Sequence, residues 1–333
     1  MSSIIGLDSV RGDVEVMQSC MSDVVVPWGD VAARPVYDSD GGHLSLVLRT
    51  DEGRREMDFT QNGFRQLCAK LGINAQFLAK CPADLQSQNI NHFLAQKRVE
   101  QTEKGMLWRL VGLPNGEAHS CRAVLSGKYG IFDHHEVLDI IDDTGFQNFE
   151  VKHSHHSMEN MHLRIVHAKK FEVGDHVFQL GLRIRNSEVG QRLIEYAYML
   201  YEQICTNGMM ATLGHLLHFK KRHVGEINRE LILNEMQEAR RQAPEAMNLI
   251  RAQMDKVNRT PITEEDWLRV ENALGKRATL KLRDDNEVTK PDATVLDLTR
   301  VLTERSQGEN QDRRELMDET AGAIVTYAAR RAA

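Results

Sequence analysis

The sequence predicts an α+β fold: a twisted, mainly antiparallel sheet backed by helices, followed by a mostly helical C-terminal region. Two mid-chain runs alternate with period two. In the first, Met161, Leu163 and Ile165 alternate with His162, Arg164 and Val166. In the second, Phe178, Leu180, Leu182 and Ile184 alternate with Gln179, Gly181, Arg183 and Arg185. The turn Val173-Gly-Asp175 lies between them and predicts a hairpin. The third observation is the chain after residue 226, where capping residues and apolar spacings of three and four predict helices to the end.

The elements follow in order. Asp38-Ser-Asp-Gly-Gly42 is a turn signal before a strand at Leu44–Arg49. Thr60 caps a helix carrying Phe64, Leu67, Cys68 and Leu71, and Gly72 ends it. A short helix, Ala75–Lys80, is stopped by Pro82. Trp108–Val111 reads as a strand turned by Pro114-Asn-Gly116, and Cys121–Ser126 as another ending at Gly127-Lys-Tyr-Gly130. Asp133 caps a helix with Val137, Leu138 and Ile141. After the hairpin, Ser187 reads as the N-cap of a helix over 190–206, with a stripe of Leu193, Ala197, Leu200, Tyr201 and Ile204 and a C-cap at Asn207-Gly208. An apolar helix, Met209–Phe219, leads into Lys220-Lys-Arg222, and a polar helix from Glu226 to Gln242 stops at Pro244. Thr263-Glu-Glu-Asp266 starts a helix with Trp267, Val270 and Leu274 on one face and Gly275 as its stop. Pro291-Asp292 starts another, carrying Val295, Leu296, Leu298 and Leu302, and a last one covers 312–331. The expected division is an acidic segment 1–60 joining the core sheet, an α/β core 61–240 and a helical region 241–333, with a hinge in the polar stretch 242–258.

Composition bounds the function. At 333 residues, 41% hydrophobic and 27% charged, the chain can bury a sizeable core and is not intrinsically disordered. No run approaches the roughly 18–20 apolar residues of a membrane-spanning helix. Met1 to Arg11 lack a basic leader and an apolar core, so no secretory signal is expected. Five scattered cysteines, never paired as CxxC, read as reduced thiols of a cytoplasmic protein. Residues 1–60 hold 5 Lys/Arg against 11 Asp/Glu, residues 61–230 hold 20 against 18, and residues 231–333 hold 17 against 19. A uniformly basic nucleic-acid coat is therefore excluded, and any such site must be a local patch in the middle segment. Twelve of the 14 histidines lie there too, between His119 and His223.

Most sharp motifs fail. Ser126-Gly-Lys-Tyr-Gly130 lacks the GxxxxGK[ST] of a P-loop, and neither GxSxG nor a nucleotide-binding GxGxxG occurs. The helix pair 64–80 has the look of a helix-turn-helix, but its second helix carries one cation and ends at Pro82. His153-Ser-His-His156 is not the helical i, i+4 pair of a zinc protease and reads as a solvated loop; His134-His135 reads as surface. What remains is basic. Arg164, Arg183 and Arg185 share one sheet face, and Lys220, Lys221 and Arg222 cluster beside it.

Several segments together resemble a known family. Leu71-Gly-Ile-Asn-Ala-Gln-Phe-Leu78 with Cys81-Pro82, Cys121-Arg-Ala-Val-Leu-Ser126 with Lys128-Tyr129, Gly181–Gly190 and Ile204–Met209 resemble phage- and plasmid-borne proteins grouped as a domain of unknown function, number nine hundred and thirty-two. The resemblance covers roughly residues 60–225 and implies a mobile genetic element without assigning an activity. A more distant similarity, of layout alone, is to phage single-strand annealing proteins of the Red-beta and Erf type. The resulting expectation is a non-enzymatic single-stranded nucleic-acid binder of a phage or plasmid, for annealing or recombination. It would act as a homo-oligomer in the bacterial cytoplasm, on DNA ahead of RNA, with no cofactor, no metal and no membrane. Phosphates would meet Arg122, Lys128, Arg164, Arg183, Arg185, Lys220, Lys221 and Arg222, with Tyr129 stacking on a base. The alternatives are a protein-interaction or anti-defence factor, and a metal-dependent enzyme using the histidine-rich segment.

Overall fold

The computed structural model describes residues 4–39, 41–100, 105–112, 118–202, 208–209 and 218–331. The expected turn at 114–116 and residues 210–217 of the expected apolar helix Met209–Phe219 lie outside them. The α+β expectation holds, with two sheets instead of one.

The first sheet comes from the N-terminal third. Its strands are β1 (Met21–Val26), β2 (Val31–Asp38), β3 (Gly41–Thr50), β4 (Gly53–Phe59), β5 (Met106–Gly112) and β6 (Ala118–Leu125), in the order β1-β5-β6-β4-β3-β2. Every pairing is antiparallel except β4 with β6. Three helices pack on one face: α2 (Gln61–Leu71), α3 (Ala75–Leu78) and α4 (Ala83–Glu100). Thr60 caps α2 by accepting from the Gly63 amide at 3.1 Å, and Gly72 closes it in the left-handed region at φ 75°. The sequence pattern did not suggest α4, whose only fully buried aliphatic anchors are Ile90 and Leu94 among polar residues.

Helix α2 lies very close to β6. A Cβ on Gly63 would stand 2.2 Å from the Cys121 carbonyl oxygen. Gly63→Ala is therefore expected to destabilise the fold by about 1–3 kcal/mol through overpacking. Urea denaturation checks this, and an unchanged midpoint would mean that α2 lifts off the strand without penalty.

The second sheet contains the period-two hairpin. Its strands are β7 (Phe149–His156), β8 (Asn160–Val173), β9 (His176–Ser187), β10 (Ile194–Glu202) and β11 (Gly208–Met209), all antiparallel, with β12 (His218–Lys221) also on β10. One face carries Leu163, Ile165, Leu180, Leu182 and Ile184 into the main core. There they meet α1 (Leu7–Ser19), α5 (His134–Thr144) and α6 (Arg229–Val257).

Four expectations change. Within the helix expected over 190–206, residues 194–202 form β10: Tyr196, Tyr198 and Leu200 face the main core, while Ala197, Met199 and Tyr201 are buried on the opposite face. A strand buried on both sides reads as a continuous apolar run, which period arguments confuse with a helix. Lys220 and Lys221, expected at a helix end, lie in β12. The histidine segment 153–156 is part of β7, not a loop. Helix α6 runs through Pro244, and the stretch 242–258 expected as a hinge is its second half, where Ala246, Ile250, Met254 and Val257 are buried at helical spacing.

The C-terminal helices are α7 (Glu264–Leu274), α8 (Lys276–Arg283), α9 (Val295–Ser306) and α10 (Gln311–Arg331). Capping boxes at Thr263 and Thr294 start α7 and α9. Val295, Leu298 and Leu302 are fully buried within the chain's own core, so they are not available as a surface between subunits. No helix of the described residues is long and apolar enough to cross a membrane.

Candidate nucleic-acid interface

The basic residues expected to form one patch are divided among three places. The first is the sheet face opposite the main core. Register places Arg164 beside Arg183, and His162, Arg185, Glu195 and Lys220 in a row across β8, β9, β10 and β12. Period two assigned these side chains to the correct face, but that face is covered. Helix α10 brings Glu315, Asp318 and Glu319 onto it. Arg164 bonds Asp318 at 2.7 Å, Arg183 bonds Glu195 at 3.1 Å and Glu319 at 3.2 Å, and Arg185 bonds Glu315 at 2.9 Å. Arg164 is only 4% exposed and Arg183 3%. Neighbouring cations in a sheet repel, and the α10 carboxylates relieve that repulsion. Arg164, Arg183 and Arg185 are thus internal ion-pair partners, not phosphate ligands.

The second place is the junction of the two sheets, where Arg122 lies. Arg109 on β5 pairs with Ala123, and Leu110 with Cys121, so Arg122 is the extra residue of a β-bulge. Bulges re-aim side chains. Arg122 is buried and donates to Glu188 at 2.9 Å and to the Met158 carbonyl. Glu188 also accepts from the His134 amide at 2.9 Å. Arg109 joins the same network, forking onto Asp133 with two bonds of 2.7 Å and bonding Asp23 at 3.0 Å and the Glu188 carbonyl at 2.8 Å. His134, read as surface from sequence, is 1% exposed, and burial lowers its pKa. Arg122 is a structural tie and is removed from the binding set.

The third place is open. A cleft of about 370 Å³ is lined by Lys70 of α2, Leu125 and Ser126 at the end of β6, Tyr129, residues 190–193 between β9 and β10, and residues 222–224 after β12. Its charged lining residues, Lys70, Arg192 and Arg222, are all cations. Lys128, beside Tyr129, is exposed, as are Lys70 and Arg222. Lys221 is half-buried in β12; Lys220 is exposed, with Nζ 3.5 Å from Glu195. Arg192 reaches Glu315 and Asp312, each at 2.9 Å.

Tyr129 is less free than expected. Its hydroxyl donates to the Ser187 carbonyl at 2.9 Å, and its ring lies on the His223 imidazole, 5.1 Å between centroids and 4° from parallel. Residues 128–130 and 223–225 are laced by backbone bonds from Gly130 to His223 and from Gly225 to Lys128. A Cβ on Gly130 would stand 2.3 Å from the Gly225 carbonyl oxygen, so this approach requires glycine. The Gly-Lys-Tyr-Gly run is thereby explained as a close backbone contact. His223 is 6% exposed, and burial lowers its pKa. Its Nδ1 lies 3.1 Å from the Gly130 carbonyl, which only accepts, so Nδ1 carries the proton and Nε2 is an acceptor. Among the described residues, that Nε2 has no hydrogen-bond partner.

Of the lining residues, sequence reasoning named Tyr129 and Arg222 and missed Lys70 and Arg192; Lys128, Lys220 and Lys221 lie outside the lining. Lys70 stands in the last turn of α2, where a cation needs no explanation beyond the helix dipole. Arg192 fell within the stretch read as helical. Among the described residues, no group of three or more His, Cys, Asp or Glu is placed to hold a metal ion.

No curated protein and no solved structure matches the chain. One family model does, over residues 122–324. The matched region starts at Arg122, after the first sheet, and extends into α10, beyond the 60–225 expected from short motifs. It takes in Glu188, the Arg164–Asp318 pair and three sides of the cleft, and exceeds half of the chain: the protein belongs to the family described as Domain of unknown function (DUF932).

Proposed function

We propose that the protein is a non-enzymatic single-stranded nucleic-acid binder of a mobile genetic element, serving strand annealing or recombination as a homo-oligomer. The cleft carries the reading: its three charged lining residues are cations, it lies beside exposed Lys128, and it contains a stacked aromatic pair. Single strands without sequence readout are held by such cations along the backbone and by aromatic surface. The binding set is Lys70, Lys128, Tyr129, Arg192, Lys221 and Arg222, with Lys220 at its rim. A strand lying across several subunits would gain affinity from each.

Fluorescence anisotropy with a labelled oligothymidylate tests this. About three phosphate contacts imply a log–log salt slope near −2, so affinity falls about twentyfold between 50 and 200 mM salt. Arg222→Glu, at an exposed position, is expected to weaken binding and flatten the slope by about 0.7 without altering the melt. Absence of binding at low salt overturns the reading and leaves the protein-interaction alternative. Light scattering with and without oligonucleotide tests the oligomer.

A further inference from the structure

The geometry points to a nucleotide-sized seat in this cleft: a phosphate among Lys70, Arg192 and Arg222, with a hydroxyl or N–H of the same nucleotide donating to His223 Nε2. The inference rests on the nucleic-acid reading for its class of ligand and specifies which unit the cleft takes.

Three observations support it. The cleft volume, about 370 Å³, is on the scale of small-molecule sites, which run from about 300 to 1,000 Å³. The cations reach it from separate elements: Lys70 from α2, Arg192 from the β9–β10 connection and Arg222 from the end of β12. Their convergence suits a group with several anionic oxygens. Finally, His223 supplies an acceptor, not another donor. Its Nδ1 proton is committed to Gly130, its ring is held flat on Tyr129, and its buried Nε2 has no partner among the described residues. An unsatisfied buried acceptor is costly, and a donor brought by the ligand removes that cost. Sulfate, which carries no proton at neutral pH, meets the cations but offers the acceptor no donor. A nucleotide meets both, through its phosphate and its ribose hydroxyls or base amine. In a ribonucleotide the 2′-hydroxyl is such a donor, the group by which proteins separate RNA from DNA.

Calorimetric titration of the full chain with adenosine 5′-monophosphate, inorganic sulfate and adenosine tests the inference. The nucleotide is expected to bind about tenfold more tightly than sulfate, the worth of one satisfied acceptor. Adenosine alone should show no heat. Arg222→Ala should weaken nucleotide and sulfate together, and His223→Phe should reduce the nucleotide to the affinity of sulfate. Equal affinity of nucleotide and sulfate for the unaltered chain overturns the inference, whether or not the His223 variant folds. If oligothymidylate binds and the nucleotide does not, the seat is wrong and the strand reading stands. If the nucleotide binds and oligothymidylate does not, the strand reading falls and the seat remains.

Discussion

Reversing Arg183 and Arg185 together to glutamate is expected to abolish cooperative folding, not to yield a folded protein that has lost nucleic acid. Arg183 is 3% exposed and bonds Glu195 and Glu319; Arg185 bridges Glu195 and Glu315. The double variant would place two carboxylates against Glu195 and Glu315, which are 2% and 4% exposed. Losing one partner of a buried ion pair costs about 3–5 kcal/mol, and whole domains are stable by about 5–15 kcal/mol. Two such losses, with added repulsion, consume most of that margin. Circular dichroism through a denaturant titration checks it. A wild-type melt would show that the sheet face is open and that α10 does not cover it. A companion pair sharpens the test. Arg164→Met alone should lose about 3–5 kcal/mol by stranding Asp318, whereas Arg164→Met with Asp318→Leu should recover most of it. Glu315 gives the same contact a pH signature. Burial would raise its carboxyl, but the hydrogen bond and charge of His162, with the Gln311 and Arg192 contacts, carry it well below the usual range. A depressed carboxylate stabilises above its unfolded value, here 4.5, and that contribution fades as pH falls toward the folded value.

Arg109→Met is expected to have the next largest effect, a loss of about 3–5 kcal/mol at the junction of the two sheets. The guanidinium is 2% exposed and makes four bonds, to Asp23, Asp133 twice and the Glu188 carbonyl. Lysine is not an adequate replacement, because the fork onto Asp133 needs two parallel donors. The pH dependence separates this from simple loss of packing. Burial pushes the Asp133 carboxyl up, and the hydrogen bonds and charge of Arg109 more than offset it, so its pKa lies below 3.8. The wild-type contribution is therefore complete above about 3.8 and lost as pH falls through the lower folded value. Without Arg109 the burial effect is uncompensated, Asp133 titrates higher, and the acid limb of the stability curve moves to higher pH. Urea midpoints between pH 3 and 7 read the displacement. An acid limb identical to wild type would mean that Asp133 is not held by Arg109.

Local signals were legible where one residue controls a local outcome. Thr60, Asp133 and Thr263 stand where helices begin, and Gly72 and Gly275 where they stop, whereas the start expected at Pro291-Asp292 falls at Thr294. Alternation in β8 and β9 identified both faces, because period two leaves only two choices. Where both faces are buried the pattern carries no period: β10, with Tyr196 to Tyr201 all within 6% exposure, reads from sequence as a helix.

By itself, the sequence determined the fold class, the helix ends at Thr60, Gly72, Asp133, Thr263 and Gly275, and the parity of the arginine face. Tertiary structure alone decided which cations are buried in ion pairs and which line the cleft. Parity says that Arg164 and Arg183 point away from the core; it does not say that a helix some 130–150 residues later returns with Asp318 and Glu319 to neutralise them. Lys70, Tyr129, Arg192 and Arg222 likewise come from four separate elements and meet only because the bulge at Arg122 and the ties of Arg109 dock one sheet against the other. The physical reason is range. Capping and period act over a few residues, whereas ion pairing and desolvation depend on which surfaces the folded chain brings together.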